Sequence, residues 1–315
     1  MTEAKILGFG GYQPDKVVTN DDLAKLVDTN DEWIRTRVGI QQRRYAAENE
    51  TVADMAEAAG AKALAASGLE PSDIDLVIVA TCSPETLMPT VAPTVAHRLG
   101  IVAPGAYDLN AACAGFCYAV GAAADSVKAG SARNALVIGS EKMTSWMDWE
   151  DRSTCIIFAD GAGAAVVGPT AADEPSGIGP IVWGSAGDQA QKIVIEGRTG
   201  KLTQDGQAVF RWATTALAPV ALEACRRAGV EPGELAAFVP HQANLRIIEA
   251  IARKLGAPQA IVASDIVTAG NTSSASIPLA LSRMIERGEL ASGAPALLIG
   301  FGAGICYAAQ VITVP

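Results

Sequence analysis

Short apolar runs recur along this chain, and each stops at a polar or glycine-rich break. DIDLVIVATCSPE carries LVIVA, SARNALVIGSE carries ALVIG, and SGAPALLIGFGAG carries ALLIG. Runs that are apolar at every position suit strands buried on both faces of a sheet. Longer helical stretches separate them, so strands and helices alternate. That alternation predicts mainly parallel sheets with helices on their faces. From Leu109 to Ala124 there is no charge. A helix apolar all round is buried, and this one follows a strand-like run at Gly105–Leu109. Ala291 to Pro315 is also uncharged and long enough to suggest a membrane span. ALLIGF, a GAG turn and ICYAAQVITV predict instead two buried strands joined by a glycine hairpin.

The pattern repeats. DIDLVIVATCSPE followed by DLNAACAGFCYAVGAAADSVKAGSARNALVIGSE parallels ELAAFVPHQANLR followed by DIVTAGNTSSASIPLALSRMIERGELASGAPALLIGFGAG. Asp108 aligns with Asp265. Cys113 then falls five residues after the first Asp and Asn271 six after the second. GAGAAVVG and GAGICYAAQV supply a last strand in each half, delayed in the first by an insertion over Glu141–Ile157. Such self-similarity marks a duplicated unit. Two halves related by a pseudo-twofold would bury one helix from each between two sheets, and bring the starts of those helices together. The halves are expected at 1–170, with the cysteine, and 171–315, with the histidine and asparagine. GAGAAV at Gly161–Val166 leads into a strand rather than a helix, so an Asp-Gly hairpin is expected there, not a dinucleotide loop.

Composition narrows the function. The chain has 315 residues, 50% hydrophobic and 18% charged, with a net charge of −10. That balance argues against general nucleic-acid binding and against an anionic membrane surface. Six scattered cysteines form no CxxC pair, and two histidines form no cluster. No metal site and no disulfide framework are expected, and a reducing, cytoplasmic compartment fits. MTEAKILGFGGY lacks the basic-then-apolar pattern of a secretory signal.

Cys113 sits at the expected first turn of the uncharged helix. Unpaired N–H groups and the helix dipole favour thiolate there. A small buried residue that merely packs is the plainer account. His241 ends the run AAFVP and matches the Thr81–Ser83 region, at the strand edge where parallel sheets gather their sites. It could equally be a hydrogen-bonded structural histidine. His97 reads as a helix-surface residue. Asn271, in TAGNTSSASIP, could cap a helix or serve as a donor to an anion. Together the trio offers a soft nucleophile and two donors for one oxygen, with no carboxylate beside them. That suits stabilising an enolate or oxyanion better than hydrolysis.

At these residues the chain strongly resembles β-ketoacyl-acyl carrier protein synthase III, a condensing-enzyme family of the thiolase-like superfamily. The motifs run end to end: TNDEWIRTRVGIQQRR, AACAGF, DRSTCIIFADGAGAA, VPHQANLRII, GNTSSAS and GFGAG. The resemblance implies an α/β thiolase-like fold, duplicated halves in a five-layer αβαβα sandwich, and a homodimer. It implies condensation of a short acyl-CoA with malonyl-acyl carrier protein to start fatty-acid synthesis. Cys113 would accept the acyl group, and His241 and Asn271 would act on the malonyl thioester. The N–H groups of Cys113 and Ala303 would hold the oxyanion, and Phe301 would shield the site. Trp33 and Arg152 match the pair that stacks on the CoA adenine. Arg37 matches a residue near the phosphates, and Gly206 and Asn244 match positions along the pantetheine arm. Without those motifs, Trp33 would read as core and Arg152 as a solvated charge. CoA is a substrate here, and no cofactor is implied.

Gln242, Arg246, Arg253 and Lys254, with Arg211 beside them, form the expected dock for an acidic carrier protein. Arg253 and Lys254 alone could be ordinary charge at a helix C-terminus. Two departures stand out. The link from Gly184 to QAVFRW is short for the family, near the acyl pocket and dimer interface. Met88 stands where some relatives carry Phe reaching the partner's pocket. A starter ketosynthase of polyketide or other secondary metabolism would share every motif. A chalcone-synthase-like enzyme would be longer. A degradative thiolase would need a second catalytic cysteine, and GAGIC around Cys306 does not match that pattern. A cysteine-dependent acyl-CoA hydrolase is the more distant alternative.

Overall fold

A computed structural model describes residues 2–197 and 199–315; Arg198, inside the short link, lies outside the described residues. Ten strands build two five-stranded sheets. The first holds β1 (Ala4–Tyr12), β2 (Leu76–Ala80), β3 (Gly105–Leu109), β4 (Ala135–Lys142) and β5 (Asp160–Pro169). The second holds β6 (Val182–Gly184), β7 (Ala237–Pro240), β8 (Ile261–Val262), β9 (Pro295–Phe301) and β10 (Tyr307–Thr313). Their orders are β1-β5-β4-β2-β3 and β6-β10-β9-β7-β8, the same path drawn twice. In each sheet the two ladders nearest the site are parallel and the other two antiparallel. The sheets are therefore mixed, not mainly parallel. The sequence shows apolar strands but not their direction, and the final strand of each half returns beside its predecessor.

Seven helices of eight residues or more cover the sheets: α1 (Asp31–Val38), α2 (Val52–Ser67), α3 (Val91–Arg98), α4 (Gly115–Ala129), α5 (Gly206–Ala228), α6 (Leu245–Leu255) and α7 (Ser276–Glu286). Three apolar clusters show the layering. Val77, Val79, Leu136 and Ile138 pack on α2 and α3 outside the first sheet. Phe238, Leu297 and Ile299 pack on α5 and α6 outside the second. Ile78, Val137, Val239 and Leu298 turn the other way, onto Phe116 and Val120 of α4 and Ile277 and Leu281 of α7. Helix, sheet, central helices, sheet, helix: the five layers follow from strands that must bury both faces. The uncharged C-terminal stretch is β9 and β10, and among the described residues no helix is long and apolar enough to cross a membrane.

Two expectations fail locally. Asp160-Gly161 is not a hairpin turn; both residues lie inside β5. The Asp160 carboxylate instead accepts from the N–H groups of Ala46 and Thr144 and the Thr144 hydroxyl. The glycines serve close packing, since a Cβ on Gly163 would lie 2.4 Å from the Leu279 nitrogen and 2.7 Å from the Pro278 carbonyl carbon. Nor do Asp108 and Asp265 correspond in role. Asp108 caps α3 through Val91 and Ala92, whereas Asp265 pairs with Arg283. The register is set instead by Asn110 and Asn271. Each accepts from the backbone two residues on, Ala112 and Ser273, and those residues have φ of 47° and 51°. Cys113 thus matches Ser274.

Because backbone atoms crowd Gly163, no rotamer change can admit a methyl group. Gly163→Ala is expected to cost about 1–3 kcal/mol, read as a lower urea midpoint at unchanged slope. Gly187→Ala, where no atom lies within 4 Å, is the control. Equal midpoints for the two variants would refute the close-packing account.

Candidate active site

Both central helices begin at the same place. Each is preceded by a 3-10 turn, Ala112–Ala114 before α4 and Ser273–Ala275 before α7. The glycines of the β9–β10 turn let Cys113 approach: a Cβ on Gly302 would lie 2.7 Å from the Cys113 nitrogen. Among the described residues, neither the Cys113 nor the Ala303 N–H is drawn into a turn or cap hydrogen bond. Both residues line one cavity of about 790 Å³, which also receives His241, Asn271 and Phe301. Residues 128 and 158 positions from Cys113 thus meet it at one cavity.

The polar groups around the trio fix what each can do. His241 follows β7 as Thr81 follows β2, and its N–H donates to Ile299 O. Its Nδ1 is 2.7 Å from Ser276 Oγ, which also accepts from the Gln242 N–H at 3.2 Å. Among the described residues the Ser276 proton has no other acceptor, so it donates to Nδ1. The imidazole then carries its proton on Nε2, the nitrogen left to donate. Burial lowers the His241 pKa to about 3, so the ring is neutral. Phe301 meets it edge-on at 5.2 Å. Asn271 Oδ1 accepts from the Ser273 N–H at 2.8 Å, which leaves its amide NH₂ as the available donor. Its backbone is stitched to Ile157 and Ala159, inside and just beyond the sequence-predicted insertion.

Cys113 departs from expectation in its protonation. Burial pushes its thiol up to about 12, and Sγ lies 3.3 Å from Ser273 Oγ. The resting group is a neutral thiol. The helix start can favour negative charge as it develops, but desolvation outweighs it at rest.

At the outer end, Trp33, Arg37, Gly206, Asn244, Arg211 and Arg246 line the same cavity. Arg37 and Arg152 flank the Trp33 ring, with guanidinium carbons 5.2 and 5.0 Å from its centroid. Asn244 caps α6 through the Arg246 N–H and donates to Arg37 O, so both ends of its amide are engaged. Arg246 lies over Phe210, 5.1 Å from the ring centroid. Arg253 and Lys254 are exposed one helix length away; Lys254 donates to Thr214 O. Gln242 does not belong to a docking face. It is buried, donates to Pro240 O and Ala263 O, and accepts from the Ile266 N–H. Proximity in sequence to exposed arginines gave it a surface role; the turn after β7 points it inward. His97 is exposed on α3.

Sequence reasoning missed Ser273, Ser276, Cys82 and Glu141. Two serines lay in the quoted GNTSSAS, and their signal was hydroxyls at the start of a helix that must be buried. Glu141 carried none.

A nucleophile and two donors at one cavity, carried by a duplicated α/β fold, define a thiolase-like condensing enzyme. A family model described as 3-oxoacyl-[acyl-carrier-protein] synthase III matches residues 107–187, and its C-terminal counterpart matches residues 225–314. "Beta-ketoacyl-[acyl-carrier-protein] synthase III 4" of Streptomyces coelicolor is 54% identical, covering 99% of both chains. The mycobacterial β-ketoacyl-[acyl-carrier-protein] synthase III of Mycobacterium avium is 48% identical over 100% of this chain and 96% of its own. Among solved structures, the priming β-ketosynthase of the R1128 polyketide pathway superposes with a TM-score of 0.96 at 44% identity, covering 99% and 96%. The 3-oxoacyl-[acyl-carrier-protein] synthase III of Aquifex aeolicus does so at 0.94 and 42%, covering 98% and 99%. The chain belongs to the β-ketoacyl-acyl carrier protein synthase III family.

A histidine with a depressed pKa stays neutral wherever the protein is folded. The His241 ring nitrogens are expected to show no titration by NMR between about pH 5 and pH 8. Protons then bind the unfolded histidine first, so this residue's contribution to stability is complete above about pH 6.5 and declines as pH falls toward 3. A midpoint near 6.5 in the folded protein would refute the buried neutral ring.

Proposed function

We propose that this enzyme condenses a short acyl-CoA with malonyl-acyl carrier protein and releases carbon dioxide, giving the β-ketoacyl-acyl carrier protein that begins a fatty-acid chain. The observation that carries this is the convergence of the Cys113 thiol, the His241 Nε2–H and the Asn271 NH₂ on one cavity. Cys113 attacks the thioester carbon of acyl-CoA, and the N–H groups of Cys113 and Ala303 hold the developing oxyanion. CoA leaves, and the acyl group stays on sulfur. The malonyl thioester then enters with its oxygen between His241 and Asn271. As the carboxylate departs as carbon dioxide, its bonding pair passes to the enolate those two donors stabilise. That carbanion attacks the acyl-cysteine, and Cys113 leaves as a thiolate that takes up one proton from solvent, which restores the neutral thiol. A neutral histidine suits this task, because it need only donate. Phe301, packed on that ring, keeps water from the carbanion.

Trp33 and Arg152 are assigned to the adenine, Arg37 to the phosphates, and Gly206 with Asn244 to the pantetheine arm. CoA enters as a substrate; no cofactor is required. Arg246 and Arg211, at the cavity mouth, are assigned to the acidic carrier protein, with Arg253 and Lys254 extending the face. A homodimer is supported by the unpaired outer edge of β3 and by the exposure of Leu87, Met88 and Val102 at 72%, 87% and 81%. The matching strand orders support two halves divided near residue 170, and six free cysteines support a reducing, cytoplasmic setting. The likeness to the R1128 enzyme favours one second reading: priming of a polyketide rather than a fatty acid. Competing acetyl-, isobutyryl- and longer acyl-CoAs, with identification of the product, separates the two.

Incubation with acyl-CoA is expected to place the acyl group on Cys113, and malonyl-acyl carrier protein to discharge it as a β-ketoacyl product. Label on another cysteine, or hydrolysis without malonyl dependence, would refute the mechanism. Asn271→Ala is expected to slow carbon dioxide release about 100- to 1000-fold while acyl loading stays near normal. Equal loss in both steps would contradict the assigned roles.

Arg246→Glu is expected to impair use of malonyl-acyl carrier protein but not acyl transfer from CoA to Cys113. Condensation by the parent protein should fall as salt rises. Carrier-protein kinetics unchanged by the reversal and by salt would place the dock elsewhere.

A further inference from the structure

One hydroxyl beyond Cys113, outside the cavity lining, lies a carboxylate the steps above do not use. Glu141, near the end of β4, is fully buried. Its Oε2 accepts from the Thr81 hydroxyl at 3.1 Å, the Cys82 N–H at 3.0 Å and the Ser83 hydroxyl at 2.5 Å. Its Oε1 meets the Ser273 hydroxyl at 3.0 Å and Ser274 Oγ at 2.8 Å. The Cys82 thiol lies 3.4 Å from Oε1. No basic side chain is among these partners. A buried carboxylate without a cation is costly unless donors surround it, and here hydroxyls do so. Hydroxyls, unlike a guanidinium, can both give and take a proton.

Two details show that this cluster can move one. Ser273 Oγ touches Cys113 Sγ at 3.3 Å on one side and Glu141 Oε1 on the other. Ser274 Oγ lies 2.8 Å from Ala80 O as well as from Oε1, two acceptors for its single proton. When Ser274 donates to Ala80 O, its lone pair faces Oε1, and a proton arriving on Oε1 finds an acceptor waiting. His241 does not suit this task, since its Nδ1 already accepts from Ser276 and its Nε2 already carries a proton, while the Cys113 thiol makes its hydrogen bond to Ser273.

We propose that Ser273 and Glu141 form a proton relay that discharges the Cys113 thiol during acyl loading, with Ser273 in contact with the reacting sulfur and Glu141 as the positioning residue behind it. The S–H bond of Cys113 breaks as its pair forms the bond to the thioester carbon. The thiol proton passes to Ser273 Oγ while the Ser273 proton passes to Glu141 Oε1. When the tetrahedral adduct collapses, the bond to the CoA sulfur breaks and its pair stays on that sulfur. The proton returns through Ser273 to that departing thiolate, and Glu141 ends as it began. Net charge in the cluster is constant throughout, so no extra charge is buried.

This inference rests on Cys113 as acyl acceptor, and the test keeps the two apart. Acyl transfer is timed by mass spectrometry in the parent protein, in Glu141→Gln, Ser273→Ala and Glu141→Asp, and in the Gln/Ala double variant. Each single loss is expected to slow loading about 100-fold. The double variant should be no more than about threefold slower than either, because both cut one chain. Glu141→Asp should recover part of the rate. Condensation by variants already acylated to completion should stay within about threefold of the parent, since the relay serves loading alone. Loading within about twofold of the parent in either single variant, losses that multiply in the double, or equal loss in both half-reactions with a lowered unfolding midpoint would each overturn the relay. If Glu141→Gln does not fold, Ser273→Ala decides by the same criteria. Failure of the parent itself to acylate Cys113 would overturn the proposed function, not the relay alone.

Discussion

Two helices begin inside this protein, back to back, and every polar group they bring must find a partner there. A helix start leaves its first N–H groups unpaired, and burying such groups unsatisfied costs on the order of 1–3 kcal/mol each. Ahead of α4 and α7 two side-chain amides each take up one such group, the Ala112 and Ser273 N–H, and among the described residues no side chain caps the helices themselves. Asn110 and Asn271 turn the chain, Ser276 bridges to His241, and Ser274 reaches across to Ala80 O. Close approach then needs glycine on the facing strands: a Cβ on Gly139 would lie 2.5 Å from Ser274 O. The concentration of polar atoms that serves chemistry is therefore also what lets the two halves join.

The insertion in the first half carries a second constraint. Its last residues pair with Asn271, so the position of that amide depends on a segment contributed by the first half. Arg43 fastens the segment from behind. It is fully buried, with its guanidinium donating to Asn20 Oδ1 and Ile156 O. Burial lowers its pKa, yet an arginine starts so high that it stays charged. A charge held by a carbonyl and an amide, with no carboxylate paired to it among the described residues, tolerates little displacement. Arg43 of the RVGIQQRR motif thus shapes the cavity wall without lining the cavity, whereas Arg37 and Val38 at the motif's start do line it.

Much of this was legible in the sequence, and for definite reasons. Uncharged runs announced buried strands and buried helices, and the Asp-to-Ile-Gly repeat announced the duplication. The trio was visible because Cys113, His241 and Asn271 stand at the ends of such runs. Strand direction was not visible, since LVIVA and AAQVITV look alike whether parallel or antiparallel. The thiol's protonation was missed because the helix start suggested thiolate, while desolvation depends on what the other half packs against it. Gln242 was misplaced because one residue along a tight turn changes outside to inside. Glu141 was missed because an acidic residue after ALVIGS reads as the end of a strand leaving the core. Only the fold shows four hydroxyls, from the β2 end and the α7 start, closing around it.

Arg152 lies over Trp33 and is tied also to Asp28, which is fully exposed. At 5.0 Å the two leave no gap for a third planar group. Whatever flat group stacks on that indole must first move the guanidinium aside, so occupancy there is an exchange of partners rather than an addition. The interaction surrendered is worth only about 0.5–1 kcal/mol at such an exposed place. That is little enough to yield to an incoming base, and it is regained when the base leaves. The arginine thus acts as a placeholder that lowers the net grip on whatever stacks there; under the proposed function that is the adenine of CoA. An enzyme that must shed a spent carrier after every transfer gains turnover from such an incumbent.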